Sequence, residues 1–219
     1  MEGRRLCAKY PWALGVLLVT LGACTTTSGR GAKASGTTTQ GTGSSRWIQA
    51  SPLLREQIQD EAERLPWTHG FERLEQIRWF ASVGEPAYPK LLELASDPRE
   101  DVAAAALAAL GATLDRRLVP HVRALSWSKE RETGDLGLER ARTLLRLGDW
   151  EEIPALIAGL RDERLYTRSL CLDALKEASR ETLDYDPRSE PSERENAVQR
   201  WEKWWLARSN EGLLTKSAP

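Results

Sequence analysis

The sequence predicts an all-α fold, a short α-solenoid of stacked helix pairs closed by a Trp-rich C-terminal helix. Three observations carry this. From Trp47 to Arg208, apolar residues recur at spacings of three and four, the period of helices buried on one side. Alternating β-branched runs, which would mark strands, are nearly absent. Finally, the segment Pro89 to Asp97 (PKLLELASD) lies over Pro154 to Asp162 (PALIAGLRD) at a shift of 65 residues. A half-matching copy, Leu118 to Leu125, places its proline 31 residues after Pro89 and 34 before Pro154. A period in this range is the signature of a helical repeat array.

The chain opens with Arg4, Arg5 and Lys9, then an apolar run from Ala13 to Ala23. That run is about half of the ~20 residues needed to span a bilayer, and it ends in small residues. Residues 1–23 therefore read as a cleavable export signal. Residues 24–45 are almost all Thr, Gly, Ser and Ala. They bury too little to fold and read as a flexible tether reaching ~25 Å. Residues 46–208 suit one domain, and residues 209–219 a disordered tail.

Leu21-Gly22-Ala23-Cys24 resembles the lipobox of bacterial lipoprotein signal peptides. The resemblance implies cleavage before Cys24, a thioether-linked diacylglycerol on its sulfur, and acylation of the new N-terminus. The mature chain then meets the membrane through the lipid on Cys24. Two or more acyl chains give stable anchoring, where one holds only marginally. Thr25 stands where an aspartate retains such proteins in the inner membrane. A place in the cell envelope follows, on the periplasmic face of the outer membrane in a Gram-negative cell. Arg4-Arg5 also has a twin-arginine flavour, which leaves both export routes open.

Within the domain, Leu54, Ile58, Ala62 and Leu65 line a first helix. Phe71, Leu74, Ile77, Arg78 and Ala81 line a second. Pro86 marks a helix start, where its missing N–H costs nothing. Asp97-Pro98 reads as an N-cap with a first-turn proline. Val102, Ala105, Ala106, Ala109 and Leu110 form one face of the helix that follows, with Gly111 closing it. Asp149 caps a helix carrying Ile153, Leu156, Ile157 and Leu160. Asp162 precedes one carrying Leu170, Cys171, Ala174, Leu175 and Ala178. Ser192-Glu193-Arg194-Glu195 reads as a capping box, opening a helix whose Val198, Trp201 and Trp205 share a face.

Tyr88 to Gly111 is similar to the HEAT repeat family. The family's usual arginine after the valine is Ala103 here; Arg168 fills that place in the later copy. The likeness is strong over Tyr88 to Gly111, fair over Ile153 to Ala178 and weak over Leu118 to Gly148. It implies a right-handed superhelix whose second helices line a concave binding face. Stability would come from neighbour contacts, with capped ends.

Composition excludes several functions. The net charge of −1 becomes about −3 without the leader, so there is no nucleic-acid footprint. Only His69 and His121 are present, and no His-Glu-x-x-His, Cys-x-x-Cys, Gly-x-Ser-x-Gly or glycine-rich phosphate loop occurs. No metal, no cofactor and no catalytic set is expected. Asp184, Asp186, Glu190 and Glu193 read as a solvated acidic loop, lacking the EF-hand spacing. With Cys7 removed and Cys24 acylated, Cys171 is left without a disulfide partner and reads as a buried, inert thiol. The expected role is a scaffold for another protein, with Arg99, Arg140, Arg142 and Trp204 as candidate partner-binding residues. A bilin-lyase-like enzyme and a cell-wall or outer-membrane assembly factor are the alternatives.

Overall fold

A computed structural model describes residues 47–216, with side chains through residue 210. The leader, Cys24 and the whole tether lie outside these residues. The described chain is all-α: ten helices and no strand. In order they are α1 (Pro52–Arg64), α2 (Gly70–Val83), α3 (Tyr88–Leu94), α4 (Glu100–Ala112), α5 (Val119–Arg123), α6 (Lys129–Thr133), α7 (Asp135–Arg146), α8 (Ile153–Gly159), α9 (Leu165–Ser179) and α10 (Pro191–Lys216). The last of these continues past residue 208.

The three prolines of the repeat occupy one local position. Pro89, Pro120 and Pro154 are each the second residue of a short helix, α3, α5 and α8. Each helix is entered from a 3-10 turn: Glu85–Ala87, Arg116–Leu118 and Trp150–Glu152. Proline at the first turn forfeits no intrahelical bond and presets φ. The longer partner helices α2, α4, α7 and α9 touch in sequence, α2 on α4, α4 on α7, and α7 on α9. The apolar interior follows them. Val102, Ala103, Ala106, Leu107 and Leu110 of α4 are fully buried, as are Ile153, Leu156, Leu160, Cys171, Leu175, Val198 and Trp201 further on.

Four expectations are corrected. On α2 the buried residues are Gln76 and Phe80, while Phe71, Leu74 and Arg78 are exposed. The face is turned because polar groups on it are paired. Gln76 donates to the Glu61 carboxylate at 2.8 Å and accepts from Thr68. Asp97 does not cap α4 directly. Its carboxylate accepts from Arg99 N at 2.9 Å, and the helix begins at Glu100. Gly111 does not end α4 but lies inside it, where an added Cβ would meet Thr143 Cα at 3.3 Å. It is a close-approach residue between α4 and α7. Finally, α10 begins at Pro191, so Ser192 sits within the first turn. Glu195 leaves the helix end and pairs with Arg161 at 2.7 Å.

The short helices α3, α5 and α8 leave most carbonyls without an internal partner, and an arginine donates at the turn after each of them, as one does after the longer α1. Arg73 donates to Leu65 O at 3.1 Å, Arg131 to Asp97 O at 2.8 Å, and Arg140 to Leu125 O at 3.0 Å. Arg168, 7% exposed, donates to Asp162 O, Glu163 O and Pro187 O at 2.7–3.0 Å. Arg168→Met leaves three carbonyls short of a charged donor. Chemical denaturation is expected to register a loss of about 2–4 kcal/mol.

A second device recurs at the turns. Asp97, Asp115 and Asp162 each accept the backbone N–H two residues on, at 2.8–3.0 Å. Each also holds that residue's guanidinium: Arg99, Arg117 and Arg164. The guanidinium bonds, then the backbone bonds, hold all three carboxyls below the usual 3.8 against the opposing effect of burial. A carboxyl whose folded pKa is depressed stabilises the fold above its unfolded pKa, and that contribution fades as pH falls through the folded value. Urea midpoints are therefore expected to hold from pH 7 to about 5 and to fall below about pH 4. The fall should be shallower in Asp162→Asn.

Candidate functional site

The four candidate residues do not form one site. Arg140 and Arg142 are two positions apart on α7 and so face opposite ways. Arg140 is held by Leu125 O, and its guanidinium lies 5.0 Å over the Trp127 ring. It lines an open cleft of about 550 Å³ between α7 and α8, along with Glu152 and Arg161. Arg142 pairs with Glu139 and lines a different, smaller pocket between α4, α7 and α9. Arg99 is exposed in the turn before α4, with both Asp97 oxygens on its guanidinium at 2.7–2.8 Å.

Trp204 belongs to a cluster of four tryptophans. It sits 5.5 Å from Trp201, edge to face, and 6.4–6.5 Å from Trp150 and Trp205. The Arg208 guanidinium lies 4.8 Å from the Trp150 ring and 5.7 Å from Trp204. Trp201 is fully buried, and its neighbours are half-covered. The cluster joins α8 and α10 through a 3-10 turn, so packing accounts for these rings.

The smaller pocket has the more unusual chemistry. Its volume is about 130 Å³, with Ala104, Leu138, Leu170 and Cys171 among its walls. Two ionisable groups, Glu139 and Arg142, line it. The Glu139 side chain is only 14% exposed, and burial pushes its carboxyl above the ordinary range, with Arg142 pulling the other way. The Nε of Arg142 is buried and has no hydrogen-bond partner among the described residues. Burial likewise pushes the Cys171 thiol up to about 12. The thiolate is thus scarce at neutral pH, and the thiol is a wall rather than a nucleophile. Among the described residues no group of three or more His, Cys, Asp or Glu side chains is placed to hold a metal.

The structure exposes Phe71 and Leu74, which the periodicity places in the core, and also Tyr166. Phe71 is 67% exposed and Leu74 50% on α2, and Tyr166 is 71% exposed on α9. Tyr166 also rims the pocket. Phe71 and Leu74 were masked as candidates because their spacing matches an apolar stripe. The residues that turn inward on this stretch are Arg73 and Gln76. No helix among the described residues is long and apolar enough to cross a membrane.

No family model, curated protein or solved structure matches the chain.

Cys171 gives a direct check of the pocket wall. In a chain carrying Cys7→Ala and Cys24→Ala, a disulfide reagent at pH 8 is expected to leave the native thiol unmodified for hours. Labelling should become stoichiometric in denaturant, with a native-state rate that tracks unfolding.

Proposed function

We propose that the chain is an envelope lipoprotein anchored through Cys24, whose HEAT-like solenoid, closed by α10, is a docking scaffold for another protein. The observation that carries this reading is the exposure of Phe71, Leu74 and Tyr166 on helices of the second set. Large apolar side chains half or more exposed on these helices offer contact area to a partner; Leu53, Trp67 and Leu206 are exposed on other elements. The inter-helix contacts support the stacked arrangement, since each second helix touches the next. The ion pairs agree. Arg73 with Asp101, Arg123 with Asp149, Arg146 with Glu177 and Arg164 with Asp135 link groups 26–31 residues apart at 2.6–2.9 Å.

The mechanism is recruitment. The lipid confines the domain to a membrane surface, and residues 24–45 let it search a zone tens of ångströms deep. Confinement raises the effective concentration toward partners in the same layer.

Two measurements test the reading at separate steps. Wild-type chain is expected in the membrane fraction and Cys24→Ala in the soluble one; equal partition of the two would remove the anchor. A photo-crosslinking residue at position 71 or 166 is expected to capture the same envelope protein in intact cells, while one at Glu93 on α3 does not. Failure at both 71 and 166 would end the scaffold reading.

A further inference from the structure

We propose that copies of this chain stack head to tail, with the outer face of α1 in one copy seated on the outer face of α10 in the next. A helix array grows by nearest-neighbour contacts, so the outer faces of its first and last helices decide whether it stops there. Here α1 packs inward on α3, and α10 on α8. Their outer faces carry complementary patterns.

On α1, Leu53, Glu56 and Asp60 follow one another at spacings of three and four, so they share a face. That face is turned from the core, since Ile58 and Ala62 are the residues α1 buries. Leu53 is 67% exposed, and neither Glu56 nor Asp60 has a side-chain partner among the described residues. Over its length α1 carries four carboxylates against two arginines. One of those arginines, Arg64, is already paired with Glu61 and Glu72.

On α10 the order is reversed. Arg200, Lys203 and Leu206 recur every three residues on the exposed flank, while Ala197, Val198 and Trp201 face the core. Leu206 is 60% exposed, and Lys203 has no partner among the described residues. Glu202, the one carboxylate between Gln199 and Asn210, is held by Arg161 at 2.9 Å.

Laid antiparallel, the two faces match. Leu53 meets Leu206, Glu56 meets Lys203, and Asp60 approaches Arg200. Rows at spacings of three and four interdigitate between packed helices, and unlike charges set the register. A twofold pairing is disfavoured, because α1 against α1 sets carboxylate on carboxylate. Each copy offers one head and one tail, so the contact is heterologous and the association open-ended. One helix pair falls short of the roughly 800 Å² per partner of stable complexes. The stack therefore forms reversibly, favoured by high local density and weakened by salt. The contact uses none of Phe71, Leu74 and Tyr166, so it goes beyond the scaffold reading and leaves that face open.

The test uses the full chain with Cys7→Ala and Cys24→Ala, in which Cys171 is buried. One preparation also carries Leu53→Cys and another Leu206→Cys; both leucines are exposed, so neither change touches the core. Under a mild oxidant, the mixture is expected to form disulfide dimers roughly tenfold faster than either preparation alone, because unlike charges attract and like charges repel. Leu114→Cys, at a position 63% exposed after α4, supplies the collision rate. Mixed with Leu206→Cys, it is expected to react no faster than the like pairs. Lys203→Glu in the Leu206→Cys chain is expected to remove the advantage. Glu56→Lys in the Leu53→Cys chain is then expected to restore it, which a misfolded variant could not do. Equal rates for mixed and like pairings, a control as fast as the mixed pair, or indifference to Lys203→Glu would overturn the proposal.

Discussion

A helix of five to seven residues cannot satisfy its own C-terminal carbonyls, and the rest of this structure answers to that constraint. In α3 and α8 the same two positions are met in the same way. Ala95 O accepts the Trp127 indole N–H at 3.0 Å, and Leu160 O, 65 residues on, accepts the Tyr185 hydroxyl. Asp97 O accepts from Arg131, and Asp162 O from Arg168. Except for Arg168, each donor stands on a later segment than the turn it serves. The end of one helix is therefore completed only when the following unit has docked. A buried backbone carbonyl left unpaired is expensive, which ties the local fold of each unit to the presence of the next.

The same dependence shapes the apolar interior. α4 carries alanines at 103, 105, 106 and 109, all buried, and Gly111 permits α7 to approach Thr143 Cα to backbone. Small side chains lower the area each helix buries alone but bring backbones close, and dispersion grows with that contact. Thr143 uses the proximity: its hydroxyl donates to Leu107 O at 2.9 Å, across the two helices. The surface ion pairs between units add little individually. They join groups 26–31 residues apart.

Much of this was legible in the sequence, for identifiable reasons. The recurring prolines gave the repeat, and each stands second in a helix; Pro86, read as a helix start, falls in the 3-10 turn before α3, and Asp149, read as the cap of α8, caps the 3-10 turn before it. The register of α2 was not legible from hydropathy, since Gln76 is buried by virtue of its hydrogen bonds with Thr68 and Glu61, and those partners lie on another segment. Nor was the clamp at Asp97. Ala103 vacates the position that Arg168 fills in the later unit, and Arg131 supplies the guanidinium from α6. Spacing along a chain cannot report a donor that arrives through space. Arg140 and Arg142 show the converse: adjacent in the reading, they serve opposite flanks of α7.

These uses of arginine bear on how the domain meets a partner. Arg99, Arg117, Arg161 and Arg164 are held by carboxylates of the same chain, and Arg73, Arg131, Arg140 and Arg168 are committed to main-chain carbonyls. A chain with 31 basic and 32 acidic residues, so arranged, projects little net field. Long-range steering, which speeds association between oppositely charged surfaces, is then weak. In the proposed reading two other terms compensate. Tethering to a membrane makes encounters frequent without a field, and apolar anchors at Phe71, Leu74 and Tyr166 lengthen the encounters that succeed. Selectivity then falls to shape.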